Sequence, residues 1–103
     1  MIACIIEFGI KPGMEARNQE MVELLLSQMH RIDGFISKET FDSRNNPGKV
    51  ITLSYWRDEA ALAGWNEDAD HRKAMALGVK EIFSHYQIQI SEVSRERQWQ
   101  APN

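Results

Sequence analysis

The feature that most constrains this chain is alternation that is apolar on both faces. Ile2, Cys4, Ile6, Phe8 and Ile10 lie on one side of a period-two pattern, and Ala3 and Ile5 begin the other. The segment around Val50, Thr52, Ser54 and Trp56 alternates in the same way with Ile51, Leu53 and Tyr55. Strands with large side chains on both faces need cover on both. Only two blocks of the chain have helical periodicity, and two helical blocks cover one face of a four-stranded sheet. The other face would meet water, and large apolar patches on soluble proteins mark contact surfaces. The expectation is a homodimer packed through its sheet faces.

The order of elements follows from the same reading. A strand over residues 2–10 stops at Lys11-Pro12-Gly13, where Pro lacks a ladder donor and Gly permits the turn. A helix over 14–32 follows, with Met21, Leu24, Leu25, Gln28, Met29 and Ile32 on one stripe and Asp33-Gly34 at its end. Strands at 35–43 and 49–56 flank the turn cluster Arg44-Asn45-Asn46-Pro47-Gly48, as in an antiparallel hairpin. Asp58 is a candidate N-cap for a short helix to about Asn66, and Asp68 for a second, about 69–85, weakened or bent at Gly78. A last strand spans 86–95, where the misfit of Val93 with Ile90 suggests a bulge near Ser91-Glu92. This β-α-β-β-α-β order is the split βαβ, ferredoxin-like α+β pattern with a four-stranded antiparallel sheet. One domain is expected over residues 1–97, with a polar tail over 98–103.

Composition narrows the function classes. The net charge is −3 with Lys and Arg scattered among the acids, so neither nucleic acid nor a membrane surface is an expected partner. The start of the chain lacks the basic region and long apolar run of a signal peptide. Cys4 is the one cysteine; it reads as a buried small hydrophobe and fits a reducing, cytoplasmic setting.

No motif dictates a reaction: there is no glycine-rich phosphate loop, HExxH, CxxC or nucleophile elbow. Asp68, Asp70 and His71 cluster in sequence, but acids at a helix start also stabilise its positive end, so no metal site is expected. Trp65 shares a helix face with Leu62 and reads equally as core or as pocket wall. Trp56 reads first as a core or interface residue and second as a pocket one. His71, near a helix N-terminus that disfavours imidazolium, is the candidate base. Phe83, His85 and Tyr86, at the approach to the last strand, are candidates for packing or substrate contact.

The run Leu53-Ser54-Tyr55-Trp56-Arg57-Asp58-Glu59-Ala60-Ala61-Leu62-Ala63-Gly64-Trp65, then Asp70-His71-Arg72 and His85-Tyr86, resembles the antibiotic biosynthesis monooxygenase (ABM) domain. Pro12-Gly13 and Gly34-Phe35 fit the same pattern, and the resemblance covers about residues 3–97. It implies a dimeric α+β barrel with a pocket between sheet and helices, and small aromatic or quinol-like substrates oxidised by molecular oxygen without flavin, haem or metal. Residue by residue, the family tryptophan of the short helix matches Trp65. The tyrosine of antibiotic-pathway members is replaced by His71, and their asparagine by Ala61. The haem-degrading branch has an iron-ligating histidine where this chain has Met75, and an asparagine near Ile6. The resemblance thus points to a cofactor-independent monooxygenase with Trp65 and His71 catalytic, and Trp56, Phe83, His85 and Tyr86 against the substrate. The alternatives are a non-catalytic small-ligand-binding dimer, a haem protein and a lactone isomerase.

Overall fold

A computed structural model describes residues 1–102. Strand β1 (Ile2–Ile10) leads to α1 (Glu15–Met29), the hairpin β2 (Phe35–Asp42) and β3 (Lys49–Trp56), the helices α2 (Glu59–Glu67) and α3 (Ala69–Leu77), a π-helical turn (Gly78–Ile82) and β4 (Phe83–Glu92). The strands form one antiparallel sheet in the order β2-β3-β1-β4. This is the expected ferredoxin-like α+β fold.

Local chemistry accounts for the boundaries. Gly34, with φ of 94°, turns the chain after α1; a Cβ there would also stand 2.5 Å from that of Ala61. The Asp58 carboxylate accepts from the Ala61 amide at 2.9 Å and caps α2, and Asp68 accepts from the His71 amide at 3.0 Å and caps α3. The Arg57 guanidinium reaches both oxygens of Asp33 at 3.2 Å, tying the end of β3 to the loop after α1.

Three boundaries differ from the sequence reading. Helix α1 ends at Met29, so His30 is its C-cap rather than part of its last turn. The expected helix over 69–85 stops at Leu77: the chain widens into the π-turn, and β4 starts at Phe83. The bulge expected near Ser91-Glu92 is absent, since β4 pairs in register there with Ala3 and Ile2. The irregularity lies instead at Ser84, between the pairs Gly9 with His85 and Ile10 with Phe83. After β4, the Val93 amide donates to the Met1 carbonyl, and residues 94–102 have no regular structure. Asn103 of the expected tail lies outside the described residues.

The core lies between the sheet and the helices. Ile2, Cys4, Leu25, Met29, Trp56, Leu62 and Trp65 form one cluster, and Phe8, Val50, Ile82 and Phe83 a second. Partners across antiparallel strands share a face, so Ile5, Ile51, Leu53, Tyr55 and Phe41 all lie on the side away from the helices. Glu7, on that same face, is ion-paired with Lys49.

Candidate functional site

Between the two core clusters the helices stand off the sheet, leaving a cavity of about 460 Å³, within the range of small-molecule sites. Its floor is the helix side of the sheet, with Cys4, Ile6, Thr52 and Ser54. Its roof is α1 with Met21, Val22 and Leu25, and α3 with His71 and Met75. Towards the sheet edge it is flanked by Ile88 and Ile90 of β4, which pair with Ile6 and Cys4 and are 43% and 52% exposed. Their exposure leaves apolar side chains at the border between cavity and solvent.

At the α2–α3 corner stands His71. Its ring stacks on Trp65, centroids 4.2 Å apart and planes 12° off parallel. Trp65 in turn stacks on Trp56 at 6.4 Å. The imidazole Nδ1 lies 3.0 Å from the Trp65 carbonyl oxygen. A carbonyl only accepts, so Nδ1 carries the proton and, in the neutral ring, Nε2 carries the lone pair. Burial lowers the His71 pKa; the Trp65 carbonyl and Asp68 pull it upward, and nearby Lys38 adds to the lowering. The sequence suggested the helix end as the cause of a neutral imidazole, but desolvation comes first. The result is a neutral base whose ring is oriented by the Trp65 carbonyl, while its amide donates to the Asp68 carboxylate.

The remaining candidates are divided by the sheet. Phe83 is buried and lines the cavity. Tyr86 pairs with Phe8 on the same face, its ring 6.5 Å from Phe83, yet is not among the residues lining the cavity. Trp56 is 0% exposed and lies behind Trp65, its indole N–H donating to the Ser54 hydroxyl at 2.9 Å; it braces the wall without lining it. His85 is a correction: it pairs with Gly9 on the face away from the helices, where its ring occupies the space a Gly9 side chain would need. The bulge at Ser84 is the reason, since it puts Phe83 and Tyr86 on the cavity face and His85 on the other. Burial keeps the Cys4 thiol protonated, against a smaller opposing effect of Ser54. Among the described residues no group of three or more His, Cys, Asp or Glu is placed to hold a metal ion. No helix among the described residues is long and apolar enough to cross a membrane.

Two wall residues escaped the sequence reading. Lys38, on edge strand β2 opposite Ser54, lines the cavity, and burial lowers its pKa. Asn18, on α1, is buried in the wall, and its side-chain carbonyl oxygen has no hydrogen-bond partner. A lysine in an edge strand ordinarily reads as protection against edge pairing, and an asparagine in a first helical turn as solvated surface. It is the strand register, with its irregularity between Phe35 and Ser37, that puts Lys38 on the same face as Ser54 and Cys4.

A family model described as antibiotic biosynthesis monooxygenase matches residues 1–77. A protein named jasmonate monooxygenase ABM from Pyricularia oryzae is 30% identical over 91% of this chain, which spans 44% of that relative's length. YqjZ of Bacillus subtilis, uncharacterized, is 26% identical over 93% of this chain and 82% of its own. Among solved structures, a Deinococcus radiodurans protein described as a candidate antibiotic biosynthesis monooxygenase superposes with a TM-score of 0.87, at 11% identity, over 98% of this chain and 100% of that one. Rv0793 of Mycobacterium tuberculosis gives 0.83, at 14% identity, over 94% and 98%. The structural likenesses speak for the fold, and the family match for descent: the chain belongs to the antibiotic biosynthesis monooxygenase family.

Proposed function

We propose that this protein is a monooxygenase that needs no resident cofactor and oxidises a small phenolic or quinol compound with molecular oxygen. The observation that carries the reading is His71: a neutral imidazole with its tautomer set by the Trp65 carbonyl, in the wall of an apolar cavity of substrate size. The family match and a relative named as a monooxygenase support the reaction class.

The chemistry follows from the residues. His71 Nε2 takes the substrate's hydroxyl proton, and the anion becomes an electron donor. It passes one electron to oxygen, giving superoxide and a substrate radical. Their recombination forms a carbon–oxygen bond, and the peroxide takes back the proton from imidazolium. Loss of water, with the hydrogen from the oxygenated carbon, leaves a quinone carbonyl. One oxygen atom stays in the product and one departs in water, with the substrate supplying all electrons. The apolar walls from Ile6, Met21 and Leu25 exclude solvent from the radical pair, and Trp65 holds the base in place.

The same reading gives the protein a homodimeric, cytoplasmic form, with the face of Ile5, Ile51, Leu53 and Tyr55 closed by a second copy. The test is oxygen uptake over a panel of quinols, wild type against His71→Ala. The expected result is turnover in the wild type and a loss of about 100-fold or more in the variant, the usual scale of a general base. Equal turnover removes His71 from the mechanism. Binding without oxygen uptake makes the protein a ligand carrier.

A further inference from the structure

The residues lining the cavity include Lys38, Arg72 and His71, and not one Asp or Glu. This happens in a chain with 15 acidic residues against 12 Lys and Arg. The acids are elsewhere: Asp33 and Asp58 pair with Arg57, Glu7 with Lys49, and Glu81 with Arg17. Lys38 has no carboxylate within ion-pair distance among the described residues, although its neighbours in the wall include Ser54, Trp65 and His71.

An ammonium group held in a largely apolar cavity without a counter-charge costs stability, and folding alone gives no return for it. Lys38 is half-buried in the wall, and burial lowers its pKa, as expected for an ammonium with no counter-charge. A ligand carrying negative charge would supply what the protein withholds. Arg72 is exposed, at the solvent side of the wall, where a second cation draws anions in. The unpartnered side-chain oxygen of Asn18 on α1 is an acceptor, suited to a ligand hydroxyl and not to the anionic group. Between these groups the lining is aliphatic, thioether and aromatic.

We propose that the cavity selects a small amphipathic anion, such as an aromatic carboxylate, with its negative group against Lys38 beside His71 and its apolar body over Ile6, Met21 and Leu25. This rests on the reading of the cavity as the substrate site and adds to it a charge: the compound oxidised is an acid, and Lys38 is a specificity-determining residue. An acidic group seated there also places the substrate's ring next to the base.

The experiment is isothermal titration calorimetry at neutral pH with 2-naphthoate, its methyl ester and 2-naphthylmethylamine, which share one apolar body and differ in charge. On the wild type the expected order is acid, then ester, then amine, with the acid ahead of the ester by about tenfold or more, the scale of a charged hydrogen bond. Lys38→Met, with its fold checked by circular dichroism, is expected to bind acid and ester alike, and Lys38→Arg to keep the preference. Equal binding of acid and ester by the wild type, tighter binding of the amine, or a preference that survives in Lys38→Met overturns the proposal. The wild-type series needs no variant to fold. Heat of binding needs no turnover, so the two readings fail separately: anion preference without oxygen uptake sinks the oxygenase, and quinol turnover without anion preference sinks the acid.

Discussion

At the scale of single residues, the neutral state of His71 is what the site turns on, and it has a pH signature. Burial holds the imidazole pKa below its ordinary 6.5, so the folded protein binds its proton less readily than the unfolded chain. The unfolded state therefore takes up more protons as pH falls, and the folded state loses stability relative to it. The contribution is fully present above pH 6.5 and is lost as the pH falls through the lower folded value. The same shift extends activity to the acid side, because the free base persists there. The acid limb of the rate profile is expected below 6.5 in the wild type, and Lys38→Met is expected to move it upward, since Lys38 is one cause of the lowering. A profile unmoved by that substitution would separate Lys38 from the base. The groups that decide this profile come from three elements: the Trp65 carbonyl on α2, Asp68 before α3, and Lys38 on β2.

At the scale of elements, the π-turn after α3 sets the shape of the cavity. Gly78 opens it in ordinary helical geometry, so backbone freedom is not its reason for being there. A Cβ at Gly78 would lie 2.6 Å from the Phe83 ring, which itself packs on Phe8 at 4.8 Å. Gly78→Ala is expected to destabilise the protein by about 1–3 kcal/mol, the usual cost of overpacking, and to loosen ligand binding by displacing Phe83. Chemical denaturation checks the first and titration the second; an unchanged midpoint would mean the ring moves freely. The alternation of β1 and β3, the hairpin turn, and the caps Asp58 and Asp68 were all legible, because each rests on neighbours a few residues apart. The end of α3 was legible in part: the weak point expected at Gly78 is where α3 gives way to the π-turn, but the start of β4 already at Phe83 was not. The bulge was sought where Val93 breaks the pattern, yet it lies at Ser84, where strand pairing with Gly9 and Ile10 decides. The candidate site shows the same division: Trp65 and His71 could be singled out from helix spacing, whereas Lys38 and Asn18 gain their meaning only from what surrounds them in space.

At the scale of the whole molecule, the sheet has two faces with different uses. One forms the cavity floor beneath the helices. The other presents Leu53 and Tyr55 of β3 beside Ile5 of β1, with the charge of Glu7 already matched by Lys49. Glu39 of β2, opposite Leu53 on the same face, has no ion pair among the described residues, so a second copy covering this face must leave that exposed carboxylate at the rim or pair it. Leu53→Arg is expected to convert a dimer to a monomer in light scattering, because like charges would meet across the two-fold axis. A protein that is monomeric before the change would refute the pairing. Since the substituted side chain lies on the far side of the sheet from the cavity, binding of 2-naphthoate should survive in any variant that stays folded.

The stacked rings described at the α2–α3 corner also have an optical consequence. Trp56 and Trp65 are buried and nearly parallel at 6.4 Å, while Trp99 is 83% exposed in the polar tail. Two emitting populations are therefore expected, a blue one from the buried pair, of which Trp65 lines the cavity, and a red one in water. The close pair should add an exciton couplet to the circular dichroism, absent from a lone indole. A molecule entering beside Trp65 would dim the blue light and perturb that couplet, leaving the red light as an internal standard. The wall that holds the base is, by the same stacking, a built-in gauge of whether the cavity is filled.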